Sequence, residues 1–169
     1  GLGDVYKRQV FDGRYLYFCA YTNSHMIRYD TQADFCTASA WECFAAGNIS
    51  GLDTGGFDGG FFDGRFVCFV PWTRTVSPEE NKSVYHCNFL RYDTHKPFAA
   101  SQSWDAYDAS TVDTLKSIGY NAGAFDGRFF YGAPLYDGSG DAFHGKVLRY
   151  DTTGDLASFS LRYGDYGHN

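Results

Sequence analysis

One stretch of the sequence, FDGRYLYF at residues 11–18, returns as FDGRFVCF at residues 62–69 and as FDGRFFYG at residues 125–132. In each copy an Asp-Gly pair precedes a run dominated by apolar and aromatic residues, which is typical of a tight turn leading into a β-strand. Asp and Gly both tolerate the positive φ angles of such turns. The sequence therefore predicts three equivalent β-hairpins, with turns at Asp12-Gly13, Asp63-Gly64 and Asp126-Gly127.

A second motif follows each of these turns: IRYDT ends at Thr31, and LRYDT ends at Thr94 and at Thr152. From the arginine of this motif to the next FDG phenylalanine the distance is 34 residues both times, from residue 28 to 62 and from 91 to 125. From the FDG phenylalanine to the next RYDT arginine it varies, at 17, 29 and 24 residues. The chain is therefore a repeat with one constant and one elastic segment.

Each repeat is interpreted as four short strands, here called A to D. Strand A precedes the Asp-Gly turn, B follows it, C carries the RYD motif, and D carries Trp41 or Trp104, with Tyr163 expected to take the tryptophan's place in the third copy. Four-stranded repeats of this length are typical of β-propeller blades. We expect an all-β fold with blades at about 10–56, 57–118 and 119–169, and one helical turn at most within residues 110–119.

The motif series G-[FY]-[DN]-x-G-x-FDGR, RYDT and Trp resembles uncharacterised bacterial β-propeller repeat proteins and, more loosely, kelch and TolB propellers. The resemblance covers residues 11–163 and implies about three blades of an incomplete ring, without implying a particular function. Uncovered blade faces lead us to expect self-association. One alternative is that two copies assemble into a six-bladed ring.

The first residues form a separate segment. DVYKRQ, at residues 4–9, looks like one translated frame of a transposon-based sequencing adaptor. We therefore expect residues 1–9 to be a non-native leader and residues 10–169 to form the propeller fragment. The alternative is a native, polar N-terminal tail.

Composition excludes several classes of partner. The net charge is −6 and no basic run is present, whereas phosphate binding needs clustered Lys and Arg. No stretch reaches the ~20 apolar residues of a membrane helix, so neither nucleic acid nor membrane insertion is expected. No cofactor is expected either. Loop composition favours an extracellular or cell-surface location, whereas unpaired thiols favour a reducing compartment, and the sequence leaves the compartment open.

The repeated charged residues are interpreted as structural. A catalytic acid is needed once per site, so an acid that recurs in every repeat is expected to stabilise the fold. This reading applies to the Asp-Gly aspartates, to the RYDT aspartates and to the RYDT arginines, and Trp41 and Trp104 are expected to pack between blades.

Length variation places the candidate binding surface. The B–C loops vary in length and share one face with the D–A connections, and binding residues concentrate on loops held by a rigid scaffold. We predict a non-catalytic scaffold that binds a glycan or a protein through these loops. Trp72, Tyr21 and Tyr136 are candidates for stacking on a ligand, and the candidates for hydrogen bonding to it are Asp58, Asn121, His86 and Asp137.

Other functions remain open. A fragment of a propeller enzyme such as a glycoside hydrolase would need a pair of carboxylates, for which Asp58 and Asp113 are the unrepeated candidates. A purely structural module is the third reading. The alternating oxygens of Asp137, Ser139 and Asp141 form an incomplete calcium pattern, and histidines 86 and 144 give weak evidence for a metal, so no metal site is predicted.

The odd number of cysteines and their spacing do not indicate a disulfide framework. Cys19, Cys68 and Cys87 fall within strand patterns, and Cys36 and Cys43 stand where the second repeat has alanines. We expect all five to be free, buried thiols.

Overall fold

The computed structural model describes residues 8–19, 24–77, 82–138 and 143–163. Its strands in chain order begin with β1 (Gln9–Phe11), β2 (Tyr15–Phe18), β3 (His25–Asp30), β4 (Trp41–Ala45), β5 (Asn48–Ile49) and β6 (Leu52–Asp53). The next are β7 (Phe57–Phe62), β8 (Phe66–Pro71), β9 (Thr73–Ser77), β10 (Lys82–Tyr85), β11 (Asn88–Asp93) and β12 (Trp104–Asp108). The last are β13 (Thr111–Val112), β14 (Leu115–Lys116), β15 (Tyr120–Phe125), β16 (Phe129–Pro134), β17 (Lys146–Asp151) and β18 (Phe159–Tyr163).

These strands form three four-stranded antiparallel sheets, each in simple chain order. The first sheet is β1-β2-β3-β4, the second is β7-β8-β11-β12 and the third is β15-β16-β17-β18. The all-β class and the four-strand repeat are thereby confirmed. The strands that begin each sheet lie next to one another, β1 beside β7 and β7 beside β15. Within the described residues, no helix is long and apolar enough to cross a membrane.

The FDGR turns are equivalent hairpins in which the aspartate has a structural role. In the second sheet the Asp63 carboxylate accepts hydrogen bonds from the backbone N–H groups of Arg65 and Phe66, at 2.8 and 2.6 Å. The first and third sheets repeat both bonds. Only the glycine has positive φ, +103° at Gly64, so the two central residues are Gly and Arg. Asp and Gly were predicted to be the two turn residues, and this was wrong by one position, because the aspartate precedes the turn and caps it from an ordinary backbone conformation.

The RYDT motif bonds to the FDGR turn of the same sheet. Thr94 donates its backbone N–H and its hydroxyl to the carbonyl oxygen of Arg65, at 3.1 and 2.7 Å. The Arg65 guanidinium in turn bonds to the Asp93 carboxylate. Both contacts recur in the first and third sheets. The RYDT arginine has a different function: Arg28 binds Glu42 of the neighbouring strand and reaches the Tyr92 hydroxyl of the next sheet at 3.1 Å.

The third sheet corrects one sequence assignment. Tyr29 pairs with Trp41 and Tyr92 pairs with Trp104, and the equivalent Tyr150 pairs with Phe159. Phe159 therefore takes the tryptophan position that Tyr163 was expected to fill. The cause is a shorter connection: the short 3-10 helices Ala38–Ala40 and Ser101–Ser103, which precede each tryptophan, have no counterpart before β18.

Two apolar clusters join the sheets. The cluster between the first and second sheets is built around Tyr17, Met26, Leu90, Tyr92 and Trp104, all buried. The cluster between the second and third sheets occupies equivalent positions. The rings also stack in equivalent pairs, Phe44 on Trp104 at 5.1 Å and Tyr107 on Phe159 at 5.6 Å between centroids. Burying these rings supplies the main stabilisation of the sheet pairs.

A two-stranded hairpin lies in the connection that follows each of the first two sheets. The segment expected to hold a helical turn forms the β13–β14 hairpin, whose turn residues Asp113 and Thr114 have φ of 53° and 66°. The β5–β6 hairpin follows the first sheet in the same way. Two central residues with positive φ are the mark of a type I′ turn, which matches the twist of the flanking strands.

All five cysteines are free, as expected, but two are not buried. Cys19, Cys68 and Cys87 are buried, and burial raises the pKa of each thiol, to about 11 for Cys19. Cys36 and Cys43 are exposed. The expectation of burial was wrong for these two because Cys43 points to the side of the first sheet that the second sheet does not cover, and Cys36 lies in an exposed connection.

Candidate functional site: an aromatic cleft beside a polar cleft

The long loops of the second and third sheets bring four aromatic rings into one row. The β8–β11 connection folds into the β9–β10 hairpin, which sets Tyr85 edge-on to Trp72 with ring centroids 4.9 Å apart at 82°. Tyr85 meets Tyr136 of the next loop at 5.4 Å and 81°, and Tyr136 meets Phe143 at 6.2 Å. With Leu135 these rings line an open cavity of about 530 Å³, called here the aromatic cleft.

Two glycines fix where these loops begin. Gly56 has φ +72° and accepts a hydrogen bond on its carbonyl from the Trp72 N–H at 2.9 Å. Gly119, with φ +81°, accepts one from Leu135 at 3.0 Å. A Cβ atom on either glycine would collide with the backbone carbonyl of Thr73 or Tyr136. Backbone contact this close requires glycine, so both glycines position the aromatic residues.

A second cavity of about 560 Å³, called here the polar cleft, shares Tyr85 with the aromatic cleft. Arg74 forms an ion pair with Asp53 on its wall, with 2.6 Å between Nη1 and Oδ2. Within the described part of the chain the Arg74 Nε is buried and has no hydrogen-bond partner, so one guanidinium donor there is unused. The other polar lining residues come from β11, from the end of β12 and from the β13–β14 hairpin with the residue before it: Asn88, Asp108, Ser110, Thr111 and Lys116.

Asp137 lies between two lysines. Lys116 donates to its carbonyl oxygen at 3.0 Å, and the ammonium groups of Lys116 and Lys146 lie 3.9 and 4.0 Å from its carboxylate. Asp137 is buried, directly after Tyr136 of the aromatic cleft. Its carboxylate therefore holds the lysines at the junction of the two clefts, and any contact with a ligand would be shared with them.

His86 lines the polar cleft but is buried as a neutral group. Its Nδ1 accepts the backbone N–H of Asn88 at 3.3 Å, so Nε2 carries the proton and faces the Gly56 carbonyl oxygen at 3.4 Å. Burial lowers the pKa of His86 to about 4. His144 repeats the Nδ1 contact in the third sheet, where it accepts the Lys146 N–H, and burial likewise lowers its pKa. The two histidines are thus equivalent positions of the repeat.

Asp58 and Asn121 lie elsewhere, within strands β7 and β15 at irregularities in the pairing with β8 and β16. They were expected in connecting loops, and the strands are longer than predicted. Asp58 is buried and pairs with Arg8 at 3.1 Å. The Asn121 Oδ1 is buried without a partner in the described part of the chain, beside Ala122 with φ +59°. Neither residue lines the two clefts.

Of the remaining predicted site residues, some lie in the aromatic cleft and others lie outside the described part of the chain. Trp72 and Tyr136 come together through Tyr85, which sequence reasoning did not single out, and Tyr21 lies outside the described residues. Tyr85 precedes the repeated histidine, a signal that could have placed it at the loop's end. Among described residues no cluster of three or more His, Cys, Asp or Glu could hold a metal ion, and Ser139 and Asp141 lie outside them.

The structure thus defines an all-β chain of repeated four-stranded antiparallel sheets, with an aromatic and a polar cleft formed by its variable loops. No protein-family model matches the sequence, and no curated protein matches it either.

Proposed function

We propose that the three sheets are blades of a β-propeller and that this chain supplies about three of them. Support comes from the side-by-side placement of the first strands β1, β7 and β15, and from equivalent face-to-face packing at both sheet boundaries. In a propeller the first strand of each blade lies nearest the axis, and successive blades pack through their faces. The kelch-like resemblance of the sequence agrees with this proposal.

We further propose that the chain is a non-catalytic scaffold that binds a glycan in the aromatic cleft. The row of rings from Trp72 through Tyr85 to Tyr136 carries this proposal. Aromatic rings offer large apolar faces at low entropic cost, and Trp and Tyr keep a polar group for hydrogen bonding. Sugars present apolar C–H faces and many hydroxyl groups, so they need stacking and hydrogen bonds at the same site.

The polar cleft supplies the second requirement. Its wall carries Arg74 with an unused Nε donor, and its boundary with the aromatic cleft is the ring of Tyr85. A chain of two or three sugar units could stack on the rings and place its hydroxyl groups against Arg74, Asp53 and Lys116. A few polar groups beside an apolar wall are the usual composition of a ligand site.

The hydrolase alternative lacks such support. Asp58 lies in β7 paired with Arg8, and Asp113 lies in the β13–β14 turn, where it accepts a hydrogen bond from the Leu161 N–H at 3.3 Å. Glycoside hydrolysis uses two carboxylates that flank one bond. These two aspartates are engaged on different elements, so a binding function is the one proposed.

A glycan array followed by affinity measurements tests the proposal. Trp72→Ala and Tyr85→Ala should each weaken glycan binding by at least about tenfold, which corresponds to about 1.4 kcal/mol. Trp41→Ala removes a ring that lines neither cleft, and Asp63→Asn alters a turn of the repeat; both should keep wild-type affinity if the protein stays folded. If folded Asp63→Asn loses binding while Trp72→Ala binds like the wild type, the site lies on the face of the Asp-Gly turns and the proposal is wrong. Binding of peptides alone would replace the glycan with a protein ligand.

A further inference from the structure

The two sheet boundaries inside the chain use the same contacts at equivalent positions. The face of the second sheet that packs on the first sheet, called here the leading face, carries Leu90, Tyr92 and Trp104. Its opposite side, the trailing face, packs on the third sheet through Phe89, Arg91 and Tyr107. At each boundary an arginine of one trailing face reaches a tyrosine hydroxyl of the next leading face, Arg28 to Tyr92 at 3.1 Å and Arg91 to Tyr150 at 3.4 Å.

The leading face of the first sheet is also apolar at these equivalent positions, but its residues are exposed or only half-buried. Ile27 is 38% exposed where Leu90 is fully buried, and Phe35 is 64% exposed where Phe98 is 1% exposed. Phe11 is also exposed. The remaining positions of this face are Leu16, Phe18, Tyr29, Trp41 and Cys43. A contiguous apolar surface of this kind marks an interaction site.

The trailing face of the third sheet carries groups equivalent to those with which the first and second sheets contact the next leading face. Arg149 is at the position of Arg28 and Arg91, and its guanidinium lies over the Phe129 ring at 4.6 Å. Arg28 and Arg91 lie in the same way over Tyr15 and Phe66. Val147 is 37% exposed at the position where Phe89 is buried. Tyr131 is at the position of Tyr17, and both hydroxyls bond to their turn aspartates.

We propose that the trailing face of the third sheet docks on the leading face of the first sheet of a second copy of this chain, head to tail. The contact would repeat the two internal boundaries. Arg149 would reach the hydroxyl of the partner's Tyr29, as Arg91 reaches that of Tyr150. Arg162, exposed at the position of Phe44 and Tyr107, would lie over the indole of the partner's Trp41, an arrangement that attracts a guanidinium to a ring.

The proposed contact is heterologous, because it joins two different faces. Such contacts close into a ring where the rotation allows it and otherwise extend. Two copies would bring six equivalent sheets together. This inference goes beyond ligand binding and does not depend on it, since the clefts lie in the loops and the docking faces lie on the sheets.

Charge variants of each face, studied by sedimentation velocity over a range of concentrations, test the contact. Ile27→Glu places a carboxylate in the leading face, and Val147→Glu places one in the trailing face. Leu115→Glu is the matched control, because Leu115 is an exposed leucine on the β13–β14 hairpin, outside both faces. The wild-type chain and Leu115→Glu should associate alike, whereas Ile27→Glu and Val147→Glu should each be monomeric.

A mixture gives the sharper result. Ile27→Glu retains a normal trailing face and Val147→Glu a normal leading face, so an equimolar mixture should form a one-to-one dimer and nothing larger. A head-to-head contact would instead leave Val147→Glu self-associating and give no mixed dimer, which would overturn the proposal. A wild-type chain that is monomeric at every concentration would also overturn it. Far-UV circular dichroism confirms folding, and Trp41→Arg with Arg149→Glu repeats the test should either glutamate variant unfold.

Discussion

Arg65 and Asp93 form a two-point ion pair that joins the turn of one hairpin to the end of another strand. The Arg65 Nη2 lies 2.7 Å from Asp93 Oδ2, and its Nε lies 3.2 Å from Oδ1. The equivalent pairs are Arg14–Asp30 and Arg128–Asp151. The partners are 28, 16 and 23 residues apart in the three sheets. The same contact thus closes each sheet whatever the length of the loop between its members.

Replacing Asp93 by Asn should destabilise the protein and weaken its response to acid. The hydrogen bond to Arg65 is the main cause of the lowered pKa of Asp93, whose side chain is only 5% exposed. A carboxylate with a pKa below its unfolded value of about 3.9 contributes stability above that pH, which is lost as pH falls towards the folded pKa. Asp93→Asn should lower the free energy of unfolding by about 1–2 kcal/mol at pH 7.

Urea unfolding from pH 7 to pH 2.5 measures this effect. The difference between Asp93→Asn and the wild type should be constant near neutral pH and shrink below about pH 4. Asp105→Asn is the control, because Asp105 is exposed and its contact with Arg91 is long, at 3.5 Å. A difference that persists undiminished at the lowest pH would show that Asp93 acts through shape and not through charge.

The features that the sequence could predict were those determined by contacts within a single sheet. The Asp-Gly turns, the RYDT connections and strands B, C and D follow from turn residues and alternation, because each motif makes its key bonds within one sheet. The position of Phe159 was missed because it depends on pairing with Tyr150 after a shortened connection. The exposure of Cys43 was missed because it depends on which sheet covers its face.

The candidate site was predictable in outline only. Variable loops indicated the correct region for Trp72 and Tyr136, since loops tolerate insertions at little entropic cost. Tyr85 was missed because its position depends on the β9–β10 hairpin, for which the loop sequence gives little pattern. Asp58 and Asn121 were assigned to loops because the irregular pairing of β7 and β15 hides the strand alternation.

Replacing Gly64 by Val should destabilise the protein by at least about 1 kcal/mol through backbone strain alone. Gly64 has φ +103°, and an added Cβ would meet no atom within 4 Å, so the Cβ itself causes no steric collision. Gly13 and Gly127 have φ of +104° and +101° with equally open surroundings. The same substitution there should cost a similar amount. Unchanged urea midpoints in all three variants would contradict the turn assignment.

His86 should make stability depend on pH between about 6.5 and 4. Burial lowers its pKa to about 4, so the folded state keeps the imidazole neutral while the unfolded state binds a proton as pH falls below about 6.5. Stability is therefore full above that pH and declines towards pH 4, by at most about 1.4 kcal/mol per pH unit for one proton. His86→Gln should reduce the slope of the free energy of unfolding against pH in this window. An unchanged slope in His86→Gln would show that the buried imidazole is not the group that binds this proton.

Trp104 and Trp41 occupy the same repeat position but should contribute different amounts to the stability of the protein. Both indoles donate to a backbone carbonyl at 2.9 Å, and each stacks on a phenylalanine of its own sheet, Phe18 or Phe69. Only Trp104 is also covered by a neighbouring sheet, whose Phe44 stacks on it. Trp104→Ala should cost about 3–5 kcal/mol, and Trp41→Ala clearly less in dilute solution. Thermal unfolding of both variants measures the difference. If both variants lose the same stability at low protein concentration, Trp41 must also be enclosed within a single chain, which contradicts the prediction.

Gly119 and Gly51 provide a matched pair that separates backbone strain from collision. Their φ angles are close, +81° and +77°, but a Cβ on Gly119 would lie 1.9 Å from the Tyr136 carbonyl oxygen, whereas one on Gly51 would meet nothing within 4 Å. Gly51→Ala should therefore cost about 1 kcal/mol, and Gly119→Ala at least about 2 kcal/mol more. Gly119→Ala must also displace the start of the β16–β17 loop and separate Tyr136 from Tyr85. Urea unfolding measures the two costs, and a crystal structure of the variant measures the ring separation. Equal costs with an unmoved Tyr136 would show that the backbone contact does not position the aromatic cleft.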